Sequence, residues 1–267
     1  MKRYRQDYHI HTQFSVDSET RMEASCQAAI AAGVNEIAFT DHLDFGPEDP
    51  PDYFRASEYL AAVERCRQRY EDQLVVRAGI EVGEPHLFAE RASAVIAQGD
   101  FDVVLGSAHY AGGMRAAWLE EFFDQPLRGA YESYFRQVVD LSAEGEFDVL
   151  AHLDLVKRDA HKFGKLYDGP GPYANMIRTA LRSLAERGKG LEVNTSPLRR
   201  GQPEPCPSLE ILRWYHELGG EIVTLGSDAH SPAAVGADID AAMEMVKVAG
   251  FEHLATFRRR QVGWIRI

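Results

Sequence analysis

Thiols are scarce in this chain. Three cysteines occur in 267 residues, Cys26, Cys66 and Cys206, and none forms a CxxC pair. That excludes a disulfide framework and a thiolate-built structural zinc site, and it fits a reducing compartment. Cys26 and Cys66 fall in helix-like stretches and read as small buried side chains. Long apolar runs are missing as well. With no stretch of about 18 apolar residues, no membrane-spanning helix and no membrane partner are expected. The opening MKRYRQDYHIH lacks the apolar core of an export signal, so the expected location is cytoplasmic. Positive charge is in deficit. Against 41 Asp and Glu stand 29 Lys and Arg, a formal charge of −12, which argues against nucleic acid as the partner. A small anionic substrate stays open, because bound divalent cations and a few arginines reverse the sign locally. No Gly-rich dinucleotide fingerprint follows the first strand-like stretch, which lowers the case for an open nucleotide-binding sheet. Oligomeric state leaves no trace in the sequence.

What is present is an alternation. Short apolar stretches at 35–42, 73–83, 101–110, 147–154, 190–196 and 221–230 read as strands. Between them, helical spacing marks 22–34, 58–70, 86–99, 130–145, 174–188, 208–220 and 233–250. Strand and helix repeated about seven times imply parallel strands with helices outside, and the length suits one closed or nearly closed β/α barrel over residues 1–267. The Pro-rich pieces FGPEDPPDYF, DGPGPY and RGQPEPCPS fit strand-to-helix loops on the rim where barrels build their sites. A last run, QVGWIRI at 261–267, reads as a strand or as packing at the bottom edge.

Metal-capable residues recur at the strand ends. His9 and His11 close the first, Asp41 and His42 the next, then Glu81, His109, His152, Asn194, and the pair Asp228 and His230. Strand C-termini of a barrel converge on one rim, and HxH or DxH aims both members to one side. A lone histidine at a strand end is more often a hydrogen-bonded structural residue than a ligand. Such residues at the ends of five or six successive strands are not chance. His86, His161, His216 and His253 lie off the pattern and read as structural or solvated, with His161 in a rim loop. Its six histidines with the three carboxylates Asp17, Glu81 and Asp228 are the candidate ligands. That is more than one ion takes, so two or three metals are expected, with at least one bridging carboxylate.

The pieces HIHTQFSVDS, IAFTDH, GIEVG, GSAH, AHLD and GSDAH together resemble the PHP (polymerase and histidinol phosphatase) superfamily. AHLDLVKR and LEVNTSPLRRG are similar to phosphate-binding segments of its stand-alone histidinol-phosphate phosphatases. The resemblance implies a distorted (β/α)7 barrel with a metal site at the C-terminal rim of the strands. The activity it implies is phosphate-monoester hydrolysis by a metal-bound hydroxide, with L-histidinol phosphate as substrate, in histidine biosynthesis. Two to three divalent ions (Zn, Mn or Fe) are implied as cofactors. His9, His11, Glu81 and Asp228 would hold the first ion, Glu81, His109 and His152 the second, and Asp17, His42 and His230 the third. Many family members carry His where this chain has Asp17, which tilts preference toward harder ions. Glu81, Asp228 and His230 are the implied catalytic residues, and Arg158, Arg199 and His42 the substrate-binding ones. Arg200 and Lys157 are neighbouring alternatives to the two arginines. Glu84, Asp41 and Asn194 are candidates for orienting ligands. The stretch 110–126 carries no firm motif, and Trp118, Phe122 and Phe123 would either touch a substrate ring or pack the rim. Rival readings are a phosphoesterase for a nucleotide or sugar phosphate, a proofreading exonuclease, and a degraded, non-catalytic interaction module. The charge disfavours the exonuclease and the full donor set disfavours the module.

Overall fold

A computed structural model describes residues 4–116, 120–158 and 160–267, with only the backbone at His161. Seven parallel strands run in chain order: β1 (Gln6–Ile10), β2 (Glu36–Phe39), β3 (Val75–Gly83), β4 (Val103–Ser107), β5 (Val149–Leu150), β6 (Gly190–Asn194) and β7 (Val223–Gly226). A break after β2 is followed by a short strand, His42–Leu43, paired with the far end of β3. The sheet closes through a single bridge between Ile10 and Ala229. There His11 N–H donates to the Ala229 carbonyl at 2.9 Å, and Ala229 N–H to the His9 carbonyl at 3.3 Å. Below this seam the buried Asp7 carboxylate accepts Ser227 N–H at 2.8 Å and its hydroxyl at 2.5 Å, so a side chain stands in for part of the missing ladder. The barrel is closed but distorted.

Each strand is followed by an outer helix because the intervening sequence has a 3.6-residue apolar period. Ala174–Glu186, for example, buries Ile177, Ala180, Leu181 and Leu184 on one face. Strand alternation then sorts the two sides of the sheet. In β3, Val76, Ala78, Ile80 and Val82 join the core beneath the helices, which turns Arg77, Gly79, Glu81 and Gly83 inward.

A second, smaller apolar cluster fills the barrel interior. Tyr8, Ala38, Val103, Leu105, Val149 and Ala151 come from the strand region, and Ala255 and Phe257 from a C-terminal hairpin. That hairpin, His253–Arg258 with Gln261–Arg266, plugs the bottom. Phe257 N–H donates to the Tyr8 hydroxyl at 3.0 Å. Arg259 N–H donates to Asp102 at 2.9 Å, and the Arg260 guanidinium grips both oxygens of Asp148 at 2.9–3.0 Å. Phe257→Ala should therefore open a cavity that strands and plug cannot close, costing about 3–5 kcal/mol in a denaturant titration.

The sequence marks the plug's second strand and misses its first. The turn between them carries no Asn-Gly or Asp-Gly; Arg259 and Arg260 take the positive φ values, 48° and 62°. The stretch 147–154 is expected to be one strand but pairs only at Val149–Leu150, because His152 turns the chain at φ 26°. Among the described residues, no helix is long and apolar enough to cross a membrane.

Candidate metal centre

All nine residues expected as ligands meet at the C-terminal rim, around Glu81. Its carboxylate is buried at the inner face of β3. Oε1 accepts from the Ser107 hydroxyl at 2.6 Å and lies 2.9 Å from His152 Nε2 and 3.3 Å from His109 Nε2. Oε2 lies 3.0 Å from His42 Nδ1, 3.2 Å from His9 Nε2 and 3.5 Å from His11 Nε2. Five imidazoles thus surround one carboxylate.

A second layer lies outward of it. Asp228 Oδ1 is 3.4 Å from His11 Nε2, 3.5 Å from His230 Nδ1 and 3.9 Å from His9 Nε2. Asp17 Oδ2 is 3.1 Å from His230 Nε2 and 3.5 Å from His42 Nε2. Asp228 holds φ 55° and His152 φ 26°, left-handed conformations of a kind found at functional sites.

Four groups have ligand atoms within 4.8 Å of one another: His9, His11 and Asp228; His11, Asp17, His42 and His230; His9, Glu81 and His152; His42, Glu81 and His109. The first holds His9, His11 and Asp228 of the expected first position without its Glu81, and the second holds Asp17, His42 and His230 of the expected third with His11 added. The expected grouping of Glu81, His109 and His152 is split, with each histidine approaching Glu81 beside a different partner.

The electrostatics favour cations. Burial disfavours charge on Glu81, yet His9, His42 and His109 outweigh it and hold its pKa well below the usual carboxylate value. Burial also opposes charge on His109, but Asp44 and Glu81 raise its pKa to about 10. His11 is pushed down to about 3 by burial with His230 and His42 alongside, leaving a neutral ring with one nitrogen able to accept an ion.

Divalent ions fit this donor set on the structure's own terms. Glu81 Oε2 and His42 Nδ1 are buried and accept or donate no hydrogen bond although they lie 3.0 Å apart. His9 Nε2 and His11 Nε2 converge to 3.0 Å. Imidazole with carboxylate suits zinc, manganese and iron.

Outer groups fix these rings. Asp41 accepts from Thr12 and from the Ser15 hydroxyl at 2.9 Å, and Ser15 in turn contacts His11 Nδ1 at 3.0 Å. Glu84 accepts the backbone N–H of His109 and of Tyr110. Asn194 donates to Glu192 at 3.2 Å. All three expected orienting residues therefore act near the site. Two stronger ones were missed. Glu192 lies 2.7 Å from His9 Nδ1, and Asp44 lies 3.0 Å from His109 Nδ1. Strand alternation could have found the first: in LEVN, Leu191 and Val193 face the helices, so Glu192 must face the rim. Asp44 stands two residues after His42 on the same short extended segment.

Glycine makes room for the Asp44 contact. A Cβ on Gly83 would come within 2.1 Å of Asp44 Oδ1 and 3.2 Å of His109 Nδ1. Gly83→Ala should push Asp44 off His109 and weaken zinc binding about 10–100-fold, read by chelator competition.

Beside the cluster opens a cavity of about 370 Å³, lined by Asp17, His42, Glu81, His109, His152, Asp228 and His230 together with Arg158, Arg199 and Arg200. The buried Arg158 donates to Asp228 Oδ2 at 2.9 Å. Arg199 reaches from the rim to the Ser227 and Asp228 carbonyls. Lys157 points elsewhere, held by Asp154 at 2.9 Å and Glu204 at 3.3 Å, so it is no substitute for Arg158. Phe122 and Phe123 are buried, and Phe123 stacks on Phe163 at 5.1 Å, so both pack the rim. Trp118 and the His161 side chain lie outside the described residues. His86, His216 and His253 stand apart from the cluster.

Barrel and rim define a β/α-barrel protein of the metal-centred kind. Residues 7–196 match the PHP domain family, and the chain belongs to it. It is 31% identical over 256 residues to the histidinol-phosphatase of Lactococcus lactis subsp. lactis, covering 94% of this chain and 93% of that one. It is 33% identical over 266 residues to a Deinococcus radiodurans protein named "Probable histidinol-phosphatase", covering 96% and 97%. The fold superposes with a TM-score of 0.84 on the crystal structure of a histidinol phosphate phosphatase from Lactococcus lactis complexed with zinc, L-histidinol and phosphate. That pair is 27% identical, with 97% of this chain and 98% of the other covered.

Proposed function

We propose that this chain hydrolyses L-histidinol phosphate to L-histidinol and phosphate as a single-domain, metal-dependent phosphomonoesterase of the cytoplasm. The observation that carries the reading is the crowding of eight metal-capable side chains around Glu81 at the wall of a cavity that also holds Arg158 and Arg199. The likeness to the Lactococcus protein supports the substrate.

His9, His11, Glu81 and Asp228 would hold one ion, Glu81 with His109 and His152 a second, and Asp17, His42 and His230 a third, as zinc, manganese or iron. Such ions supply Lewis acidity, which makes water a nucleophile near neutral pH and offsets phosphoryl charge. Arg158 and Arg199 bind phosphoryl oxygens, a task suited to a planar fork of donors. His42 lines the same cavity and doubles as a substrate contact. Asp228 or His230, both on the cavity wall, would help move protons.

The test is phosphate release from L-histidinol phosphate against sugar phosphates, nucleotides and simple monoesters. A preference in kcat/KM of about 100-fold or more is expected, the discrimination that a few specific polar contacts provide. Equal rates across the panel would move the substrate to another phosphate ester. No release from any ester would remove the hydrolase reading.

A further inference from the structure

One buried carboxylate beneath the metal cluster touches two of its histidines at once. Glu192 sits in β6, facing inward between Leu191 and Val193. Its Oε1 lies 2.7 Å from His9 Nδ1. Its Oε2 accepts the His152 backbone N–H at 2.9 Å and the Asn194 side-chain amide at 3.2 Å. The two histidines need different help. His9 needs its ring turned so that Nε2 faces Glu81, and a hydrogen bond at Nδ1 fixes that orientation and tautomer. His152 needs its backbone held at φ 26°, a conformation a non-glycine residue keeps only when neighbours impose it. These are also the two histidines grouped with Glu81 in one candidate cluster.

The next strand leaves space for this arrangement. In β7 Thr224 pairs with Glu192, and at the next inward position, Gly226, a Cβ would lie 2.1 Å from Glu192 Oε1 and 2.5 Å from His9 Cβ. Any other residue at 226 would drive Glu192 and His9 apart.

We propose that Glu192 is a positioning residue for the inner ions, those held through His9 and His152, setting the His9 ring and the His152 backbone together, with Gly226 providing the clearance. The proposal rests on the metal-dependent reading above but not on the identity of the substrate. It predicts a local defect. Ions held through His9 and His152 weaken, while the outer group of Asp17, His42 and His230, which Glu192 does not touch, keeps its affinity.

The experiment is chelator competition on zinc-loaded protein, which needs no substrate, applied to E192Q, G226A and the double variant. Zinc release should become biphasic in E192Q, with one class released at about 10–100-fold lower chelator concentration and the other as in the parent. G226A should show the same split with Glu192 still present, which covers the case in which E192Q fails to fold. The double variant should lie within about threefold of the worse single variant, because both changes break one contact. D17N should weaken the other class alone. Uniform weakening of every ion would assign Glu192 a purely structural role and overturn the proposal, as would unchanged release in folded E192Q and G226A. No phosphate release by the parent from any ester, alongside the biphasic zinc release of the variants, would sink the hydrolase reading and leave this one standing.

Discussion

Glu81→Gln should cut kcat at least about 1,000-fold, beyond the usual effect of deleting one donor that stabilises a developing charge. The substitution keeps the shape and removes the one carboxylate that faces His9, His11, His42, His109 and His152 together. Three of those rings, His9, His42 and His109, owe part of their raised basicity to it. Elemental analysis should find fewer metal ions per chain. A thermal melt gives an independent reading. A ligand at 100 times its Kd stabilises the folded state by about 2.7 kcal/mol. The parent should therefore melt higher on adding zinc, and E81Q should not. A full metal complement with near-parental turnover in E81Q would overturn the site.

Arg158→Ala should lower kcat/KM for the phosphate ester by about 100- to 1,000-fold while leaving the metal content unchanged. Lysine should rescue little. Arg158 Nη1 donates to Asp228 at 2.9 Å and to the Ser196 hydroxyl at 3.4 Å while the side chain lines the cavity, and a lysine ammonium has no further nitrogens to offer a phosphoryl group. Inhibition by inorganic phosphate separates the two possible roles. Weaker inhibition with intact metal content marks a phosphate-binding residue. Metal loss in R158A would instead mean that its task is to hold Asp228 in place.

Much of this site was legible because barrel geometry converts strand ends into neighbours. His9, His42, Glu81, His109, His152 and Asp228 needed only a strand period and a direction to be placed together. The division of ligands among ions was less legible. His11 lies between two groups, at 4.3 Å and 4.1 Å from the His42 and His230 rings, and no one-dimensional pattern carries that distance. Asp44 and Glu192 were harder still, since a single acid just past a two-residue strand, or inside an apolar one, gives no motif. They show only once alternation is counted and the glycines on neighbouring strands are asked why they are small. The bottom plug escaped in half, because Arg259 and Arg260 fill a turn where sequence reading looks for glycine or asparagine.

The narrow seam between β1 and β7 also has a consequence in time. Ser227 and His9 meet across it although 218 residues separate them. At the usual pace of synthesis, roughly 5–20 residues per second, the first strand waits some ten to forty seconds for its partner. During that wait the HxH pair is a two-nitrogen chelator, open to whichever ion binds nitrogen most avidly, with copper ahead of zinc. The carboxylates Glu81 and Asp228, which favour harder ions, join it with the remaining rings only when the barrel closes. The full donor set thus exists only in the finished circle of strands and not in the motif that begins it.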